Sequence, residues 1–359
     1  MQPVPKPRLE PPATKGHYSV ARLTDYWYVA CKSSTLKRRP LAVTILGIPL
    51  VLFRTSEGVA CALLDRCPHR NVPLSLGKVK KNGCLECAYH GWQFAGDGAC
   101  QRVPGLVSEH APGWRVPAYP VKEQDGLVWV YAETDSEPVR EPFRLGISNG
   151  PGYTTVVREV EVGATLHAAI ENALDVPHTA FLHQGLFRGG KQNPITACVA
   201  RHADRVEIEY LGEPRPPGVV AKILSPSGGV VEHWDRFFLP SVAQVEYRLG
   251  AENHFVVSSM CTPVADTFTK MFAVVSFRTR LPSRWLKYLI DPIAMRIFKQ
   301  DRVILEAQTR TTRRFGGEQF VSSELDLMGP QVWRLLKQAE SGSLPREAAP
   351  SVSRVEFFA

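Results

Sequence analysis

The chain has 359 residues, is 44% hydrophobic and 22% charged, and carries a formal net charge of +8. That composition is too apolar and too mixed in charge for a disordered protein, and the length allows two domains with cores of their own. The positive charge does not make a nucleic-acid binder, because no Lys/Arg block exceeds three residues and no aromatic-rich RNA motif accompanies it.

The opening stretch, MQPVPKPRLEPPATKG, is proline-rich and lacks the apolar core of a secretory signal. No run of about 18 or more uncharged apolar residues follows anywhere. These features predict a cytoplasmic chain without a membrane span, and a mobile segment over residues 1–20. From Tyr26 to Tyr131 the text is short and strand-like, as in YWYVAC, LAVTILGIPLVLFRT, VACALLD and LVWVYAE, punctuated by Gly, Pro, Asn and Asp. It predicts an all-β domain over 21–150, ending in the proline- and charge-rich linker ETDSEPVREPFRLGISNGPG. This is the basic part: residues 1–150 hold 19 Lys and Arg against 13 Asp and Glu.

Residues 151–359 change character. GATLHAAIENALDVPHTAFLHQG reads as a helix interrupted at Pro177, since proline removes a backbone donor and disfavours helical geometry at the residue before it. Strands are expected from about Thr196 to Thr279, then a helix over DPIAMRIFKQDRVILEAQTRTTRR and a last amphipathic helix over GPQVWRLLKQAES. The expected fold class is α+β, with long helices covering one face of a sheet.

Two groups of residues carry chemistry. In the first domain, Cys67-x-His69 is followed after seventeen residues by Cys87-x-x-His90. Eight cysteines in a chain of this size do not form a small secreted disulfide framework, and closely spaced Cys and His suggest a metal centre. Two tight loops offering two N/S ligands each suit either a Cys2His2 zinc site or a Rieske [2Fe-2S] cluster. Cys84 forms a Cys-x-x-Cys with Cys87 and stands as a rival ligand. In the second domain His178 and His183 are five apart, an awkward spacing on an unbroken helix that the break at Pro177 relieves. Asp175, three residues before His178, is placed to orient it as an outer carboxylate. Two histidines with one carboxylate make the facial triad of non-haem Fe(II) oxygenases. The carboxylate must come from elsewhere, and Asp301 sits on a helical face with Ile297, Ile304, Leu305 and Gln308, where an unneutralised charge is costly. Glu306 and Asp291 are its rivals.

CPHRNVPLSLG followed by CAYHGWQFAGDGAC resembles the Rieske domain of ring-hydroxylating oxygenases, with Ala88 departing from the proline common there. ENALDVPHTAFLH and the late D-x-x-x-x-E-x-Q pattern beginning at Asp301 resemble the iron site of the same family. The resemblance runs from Tyr26 to about Leu336. It implies Cys67 and Cys87 on one iron of a [2Fe-2S] cluster, His69 and His90 on the other, and a mononuclear Fe(II) held by His178, His183 and Asp301. It further implies a catalytic Asp175 linking His178 to His90 of a neighbouring subunit in a homotrimer. Glu171 and Asn172 are assigned to the surroundings of the iron site.

The fold implied is a Rieske domain followed by a curved antiparallel sheet covered by helices, of helix-grip type. The function implied is a terminal oxygenase that takes electrons from a ferredoxin or an NAD(P)H-dependent reductase, activates O2 and hydroxylates or demethylates a small aromatic or polycyclic substrate. No Gly-x-Gly-x-x-Gly follows a strand, so the nicotinamide is expected on a separate reductase. The substrate pocket is expected between the strands FFLPSVAQVEYRL and FAVVSFRT and the helix of Asp301. Dioxygenation or desaturation are the nearest alternatives; a zinc-stapled binding module and a pure electron carrier are the alternatives from other classes.

Overall fold

The computed structural model describes residues 18–106, 113–147, 150–183, 194–213, 231–250, 253–279, 283–345 and 351–358. They divide into two compact units, Arg22–Arg144 and Leu145 onward, with residues 18–21 grouped with the second. Of the segment expected to be mobile, residues 1–17 lie outside those described, whereas the Ser19 amide and hydroxyl both donate to Glu318 Oε2 (2.9 and 2.6 Å). Among the described residues no helix is long and apolar enough to cross a membrane.

The first unit is all-β. Its strands are β1 (Trp27–Lys32), β2 (Leu41–Ile45), β3 (Ile48–Arg54), β4 (Ala60–Leu64), β5 (Lys78–Val79), β6 (Leu85–Glu86), β7 (Gln93–Phe94), β8 (Cys100–Arg102), β9 (Ala118–Tyr119), β10 (Val121–Gln124) and β11 (Leu127–Tyr131). They form three antiparallel sheets with orders β1-β11-β10, β2-β3-β4-β9 and β5-β6-β7-β8. Asp125-Gly126 closes the β10–β11 hairpin with both residues at positive φ (53° and 75°), the two-residue turn whose twist matches the strands it joins. Tyr28, Phe53, Phe94, Trp129 and Tyr131 fill the interior and bury nearly all of their surface.

The second unit is built on one eight-stranded antiparallel sheet. Its elements are β12 (Thr154–Val162), α1 (Leu166–Ala173), α2 (Thr179–Leu182), β13 (Pro194–Arg201), β14 (Arg205–Leu211), β15 (Val231–Phe238), β16 (Val242–Leu249), β17 (Asn253–Ala265), β18 (Phe268–Arg278), α3 (Ser283–Arg314), α4 (Gly329–Glu340) and β19 (Ser351–Phe358). The order β12-β18-β17-β16-β15-β14-β13-β19 is a meander from β13 to β18 with β12 and β19 added at its two edges. Burial alternates along β15, so that Val231, His233, Asp235 and Phe237 share the covered face. The register places Tyr210, His233, Tyr247, Phe255 and Phe277 in one row across five strands of that face.

Four features differ from the sequence expectation. The helix expected to begin at Asp291 begins at Ser283 and runs through Pro292; an interior proline costs one backbone bond, which a helix of 32 residues can absorb. The face carrying Asp301 is not the apolar one expected, for Ile304 is 48% exposed while Leu305 is 4% exposed. The buried stripe instead passes through Phe298, Leu305, Thr309 and Thr312, and Asp301 lies on it at i+3 from Phe298. The edge strands β12 and β19 fall outside the stretch expected to be strand-rich: β12 mixes charge into its alternation and β19 is mostly exposed. Both gain their pairing from distant segments, β12 from β18 and β19 from β13.

Candidate metal centres

In the first unit two six-residue loops have the same construction. The Cys67 amide donates to the Val72 carbonyl (2.9 Å) and the Asn71 amide returns to the Cys67 carbonyl (2.9 Å). The Cys87 amide donates to the Trp92 carbonyl (2.8 Å) and the Gly91 amide returns to the Cys87 carbonyl (3.1 Å). The fifth residue of each is left-handed, Asn71 at φ 61° and Gly91 at φ 71°, a conformation that suits Asn and Gly. The two cysteines are 2% and 3% exposed and their thiols hydrogen-bond each other. The two histidines meet with ring centroids 4.4 Å apart. Trp92 stacks on His69 (4.9 Å, 6°) and is backed by Trp114 (4.6 Å, 13°).

This pairing of sulfur with sulfur and nitrogen with nitrogen is the division a [2Fe-2S] centre requires. A mononuclear zinc site would bring all four donor atoms to one point, and among the described residues the only such convergence is His178, His183 and Asp301. His69 Nδ1 is buried without a hydrogen bond, a state that a metal would relieve. Burial, with Cys87 alongside, pushes the Cys67 thiol up to about 11, so that binding must displace a proton. Cys84 lies outside this arrangement. It is buried at the turn between β5 and β6, and burial followed by the charge of Asp97 raises its thiol pKa.

In the second unit Thr165 caps α1, its hydroxyl accepting from the Ala168 amide (3.1 Å). The helix ends at Ala173, and the bend that carries Asp175 and Pro177 delivers His178 and His183 to either end of α2. Leu305 of α3 packs with Val160, Val162, Ala164 and Ala168, which anchors the helix that brings Asp301. One ligand atom from each of His178, His183 and Asp301 lies within 4.8 Å of the other two. Asp301 Oδ1 is 3.0 Å from His183 Nε2 and 3.7 Å from His178 Nε2, yet it is buried and makes no hydrogen bond of proper geometry. A buried carboxylate oxygen left unsatisfied between two imidazole nitrogens is what a cation would complete, so the residues present fit a metal.

Each of the three ligand candidates has a further contact. His183 Nδ1 meets Gln300 Oε1 at 3.0 Å, His178 Nδ1 is 3.4 Å from Asp175 Oδ2, and Asn172 hydrogen-bonds Asp301. Burial raises the Asp301 pKa against the pull of His183 and His178. For His178 burial acts against the charged ring, but Asp175 and Asp301 outweigh it and the pKa rises. Glu306 is turned away in an ion pair with Arg302 (2.8 Å), and Asp291 falls outside the residues whose side chains are described. Glu171 lines a cavity of about 80 Å³ with Asp175, Tyr210 and Gly329. A Cβ on Gly329 would come within 1.7 Å of Glu171 Oε1, so only glycine leaves that carboxylate its place. Burial raises the Glu171 pKa. Sequence reasoning missed Gln300, though it adjoins Asp301, and missed Tyr210, which carries no local signal.

The expected substrate-facing strands contribute an apolar cluster in which Val275 and Phe277 pack against Val156, Phe255 and Val257 on the covered face. On the same face lies a group that carries no local sequence signal. His233, 1% exposed, is bound through Nδ1 to Glu213 (2.7 Å) and through Nε2 to Asp235 (3.0 Å).

Comparison with known proteins defines the class. Residues 26–120 match the Rieske [2Fe-2S] domain, and residues 162–341 match the vanillate O-demethylase oxygenase C-terminal domain. The chain belongs to the Rieske non-haem iron oxygenases, among their alpha subunits. It is 37% identical over 160 residues to the oxygenase component of dicamba O-demethylase from Stenotrophomonas maltophilia, a match covering 44% of this chain and 47%, about half, of that protein. It is 27% identical over 295 residues to the methylxanthine N1-demethylase NdmA of Pseudomonas putida, covering 80% of this chain and 81% of that one. Among solved structures, dicamba monooxygenase bound to 3,6-dichlorosalicylic acid superposes with a TM-score of 0.78 at 25% identity over 91% of this chain and all of that one. NdmA from Pseudomonas putida CBB5 gives 0.74 at 24% identity over 92% of this chain and 96% of that one, a likeness of fold.

Proposed function

We propose that this chain is the terminal oxygenase of a multicomponent Rieske system and inserts oxygen from O2 into a small aromatic or polycyclic molecule, by hydroxylation or by oxidative demethylation. The observation that carries the reading is the convergence of His178, His183 and Asp301 around a buried, unsatisfied carboxylate oxygen, in a chain that also holds a Rieske domain. Bound there, ferrous iron would supply the O2 chemistry that side chains lack, with electrons delivered from the [2Fe-2S] cluster on Cys67, His69, Cys87 and His90.

The chain's own residues have distinct tasks in this reading. His178, His183 and Asp301 would hold the metal. Gln300, Asn172 and Asp175 fix the orientation of those ligands through the contacts described above. Across a homotrimer, Asp175 carries the link from His178 to His90 of the neighbouring subunit. The part-buried strands around Val257, Val275 and Phe277 form the apolar wall of the substrate site.

Demethylation is favoured within the class by the match to the vanillate O-demethylase domain and by the demethylases among the relatives. Dioxygenation is the second reading, supported by 30% identity over 259 residues to the 3-chlorobenzoate-3,4-dioxygenase oxygenase subunit of Comamonas testosteroni. The excess of Lys and Arg in residues 1–150 suits an acidic ferredoxin or a reductase as donor, so that turnover at limiting donor falls as ionic strength rises. The setting proposed is the cytoplasm.

Metal and acid-labile sulfide analysis, with a visible spectrum and EPR of the reduced protein, tests the reading. One [2Fe-2S] cluster plus one further iron per chain is expected. A colourless zinc protein, or a red-brown protein without the extra iron, refutes it. Substrate-stimulated O2 uptake with a reductase pair, run with labelled O2, then separates the reactions. One labelled atom stays in a ring-hydroxylated product, both stay in a dihydrodiol, and demethylation releases formaldehyde while the demethylated product keeps its original heteroatom.

A further inference from the structure

The covered face of the large sheet carries a buried array of titratable side chains. On β14 and β15, Tyr210, His233 and Asp235 are each 1–2% exposed. With Glu213 they form a continuous array: Glu213 Oε2 to His233 Nδ1 at 2.7 Å, His233 Nε2 to Asp235 Oδ1 at 3.0 Å, and the Tyr210 phenol hydrogen-bonded to Asp235. The imidazole is clamped between the rings of Tyr210 (4.6 Å, 23°) and Tyr247 (3.9 Å, 17°). Burying two carboxylates and an imidazole costs several kcal/mol before their mutual attraction is counted, roughly the scale known for buried ion pairs. Such an array defines one geometry sharply, and its far end is Tyr210.

Tyr210 lines the cavity of about 80 Å³ on which Asp175, Val176 and Pro177 also abut. Buried and facing the carboxylates Asp235 and Asp175, Tyr210 keeps its proton. A neutral phenol has one hydrogen, which goes to Asp235; its oxygen lone pair remains as an acceptor. Asp175 is an acceptor as well. Two acceptors on one cavity of this size can be joined by a water that donates to both.

We propose that Tyr210 is a positioning residue for Asp175, acting through water in the cavity they share, with the Glu213–His233–Asp235 array holding the phenol in place. Asp175 in turn sits 3.4 Å from His178 Nδ1, so the array sets the orientation of a metal ligand it does not touch. The inference rests on the iron-binding reading of His178 and on Asp175 as its orienting carboxylate.

The test is a double-mutant cycle read as Fe(II) affinity, measured by anaerobic competition titration of the full chain with its cluster loaded and its mononuclear iron removed. Asp175→Asn is expected to weaken binding about 10–100-fold, the usual effect of losing an orienting partner of a ligand histidine. Tyr210→Phe, which removes one hydrogen-bonding atom, is expected to weaken it about fivefold. In the Tyr210→Phe/Asp175→Asn double variant the Tyr210 effect disappears, leaving the affinity of Asp175→Asn alone. Asp235→Asn, which keeps the shape of the array but alters the acceptor that holds the phenol, repeats the pattern and carries the test should Tyr210→Phe fail to fold. Unchanged affinity in the single variants, or effects that add in full to that of Asp175→Asn, overturns the inference while the iron-binding reading stands. If Asp175→Asn binds Fe(II) as tightly as the wild type, the orienting role of Asp175 fails, and the inference falls with it.

Discussion

The buried imidazolium at His233 makes stability depend on pH in a direction that can be stated in advance. Burial acts against the charged ring, but Asp235 and Glu213 outweigh it and lift the pKa from 6.5 to about 9. Above pH 6.5 the unfolded chain releases this proton while the folded chain keeps it, so the native state binds more protons and raising the pH destabilises it. The stabilisation is complete below pH 6.5, falls by about 1.4 kcal/mol per pH unit in the window, and is lost beyond about pH 9, for a total of about 3 kcal/mol. Replacing His233 alone would leave two buried carboxylates facing each other. The appropriate perturbation is therefore His233→Gln with Glu213→Gln, which keeps both shapes and removes the titration. Urea unfolding read by hydrogen exchange on peptides from β15 and β16, at several pH values from 6 to 9.5, gives the wild-type minus variant difference. A difference that is flat across the window, or that grows with pH, refutes the account of His233 as a buried cation held by two carboxylates.

Other outcomes follow from the same geometry. Asp301→Asn is expected to lower Fe(II) affinity by about 100-fold or more while the visible absorbance of the [2Fe-2S] cluster is unchanged, because the ligand sets lie in different units; loss of the cluster bands would contradict it. Asp175→Ala is expected to keep the cluster and, in excess Fe(II), the further iron, yet to abolish coupled turnover; failure to load iron under saturation would contradict the bridging role. Leu305→Ala, at a side chain 4% exposed in the cluster with Val160, Val162, Ala164 and Ala168, is expected to cost about 2–5 kcal/mol in denaturant unfolding of the second unit. Gly91→Ala places a Cβ at φ 71° and 3.1 Å from Pro104 Cγ; strain of about 1–2 kcal/mol is expected to appear as faster bleaching of the cluster absorbance.

Much of the first site was legible because its information is local. Cys67 and His69, and Cys87 and His90, are each held within a six-residue loop, so sequence spacing alone names the pairs, while the structure adds the left-handed residues Asn71 and Gly91 that close them. The break at Pro177 was legible for the same reason, since the ring acts on its own helix and on the residue before it. Spacing alone left zinc and a cluster open; the flanking motif that resembles Rieske domains favoured the cluster, and the way the two loops face each other, thiol to thiol and imidazole to imidazole, agrees with it.

The second site divides along the same line. His178, His183 and their neighbour Asp175 are fixed by a short bend, and the sequence by itself determined them as a group. Which carboxylate joins them was decided by tertiary structure. Asp301 and Glu306 share a helix, and packing of Leu305 against β12 and α1 rotates that helix so that Asp301 faces the histidines while Glu306 meets Arg302. The row that stacks Tyr210, His233 and Tyr247 likewise exists only through the register of three strands. Local conformation is written in neighbouring residues, whereas rotation of a helix and register of a sheet are set by contacts between segments far apart in the chain, whose combined burial alone can select them.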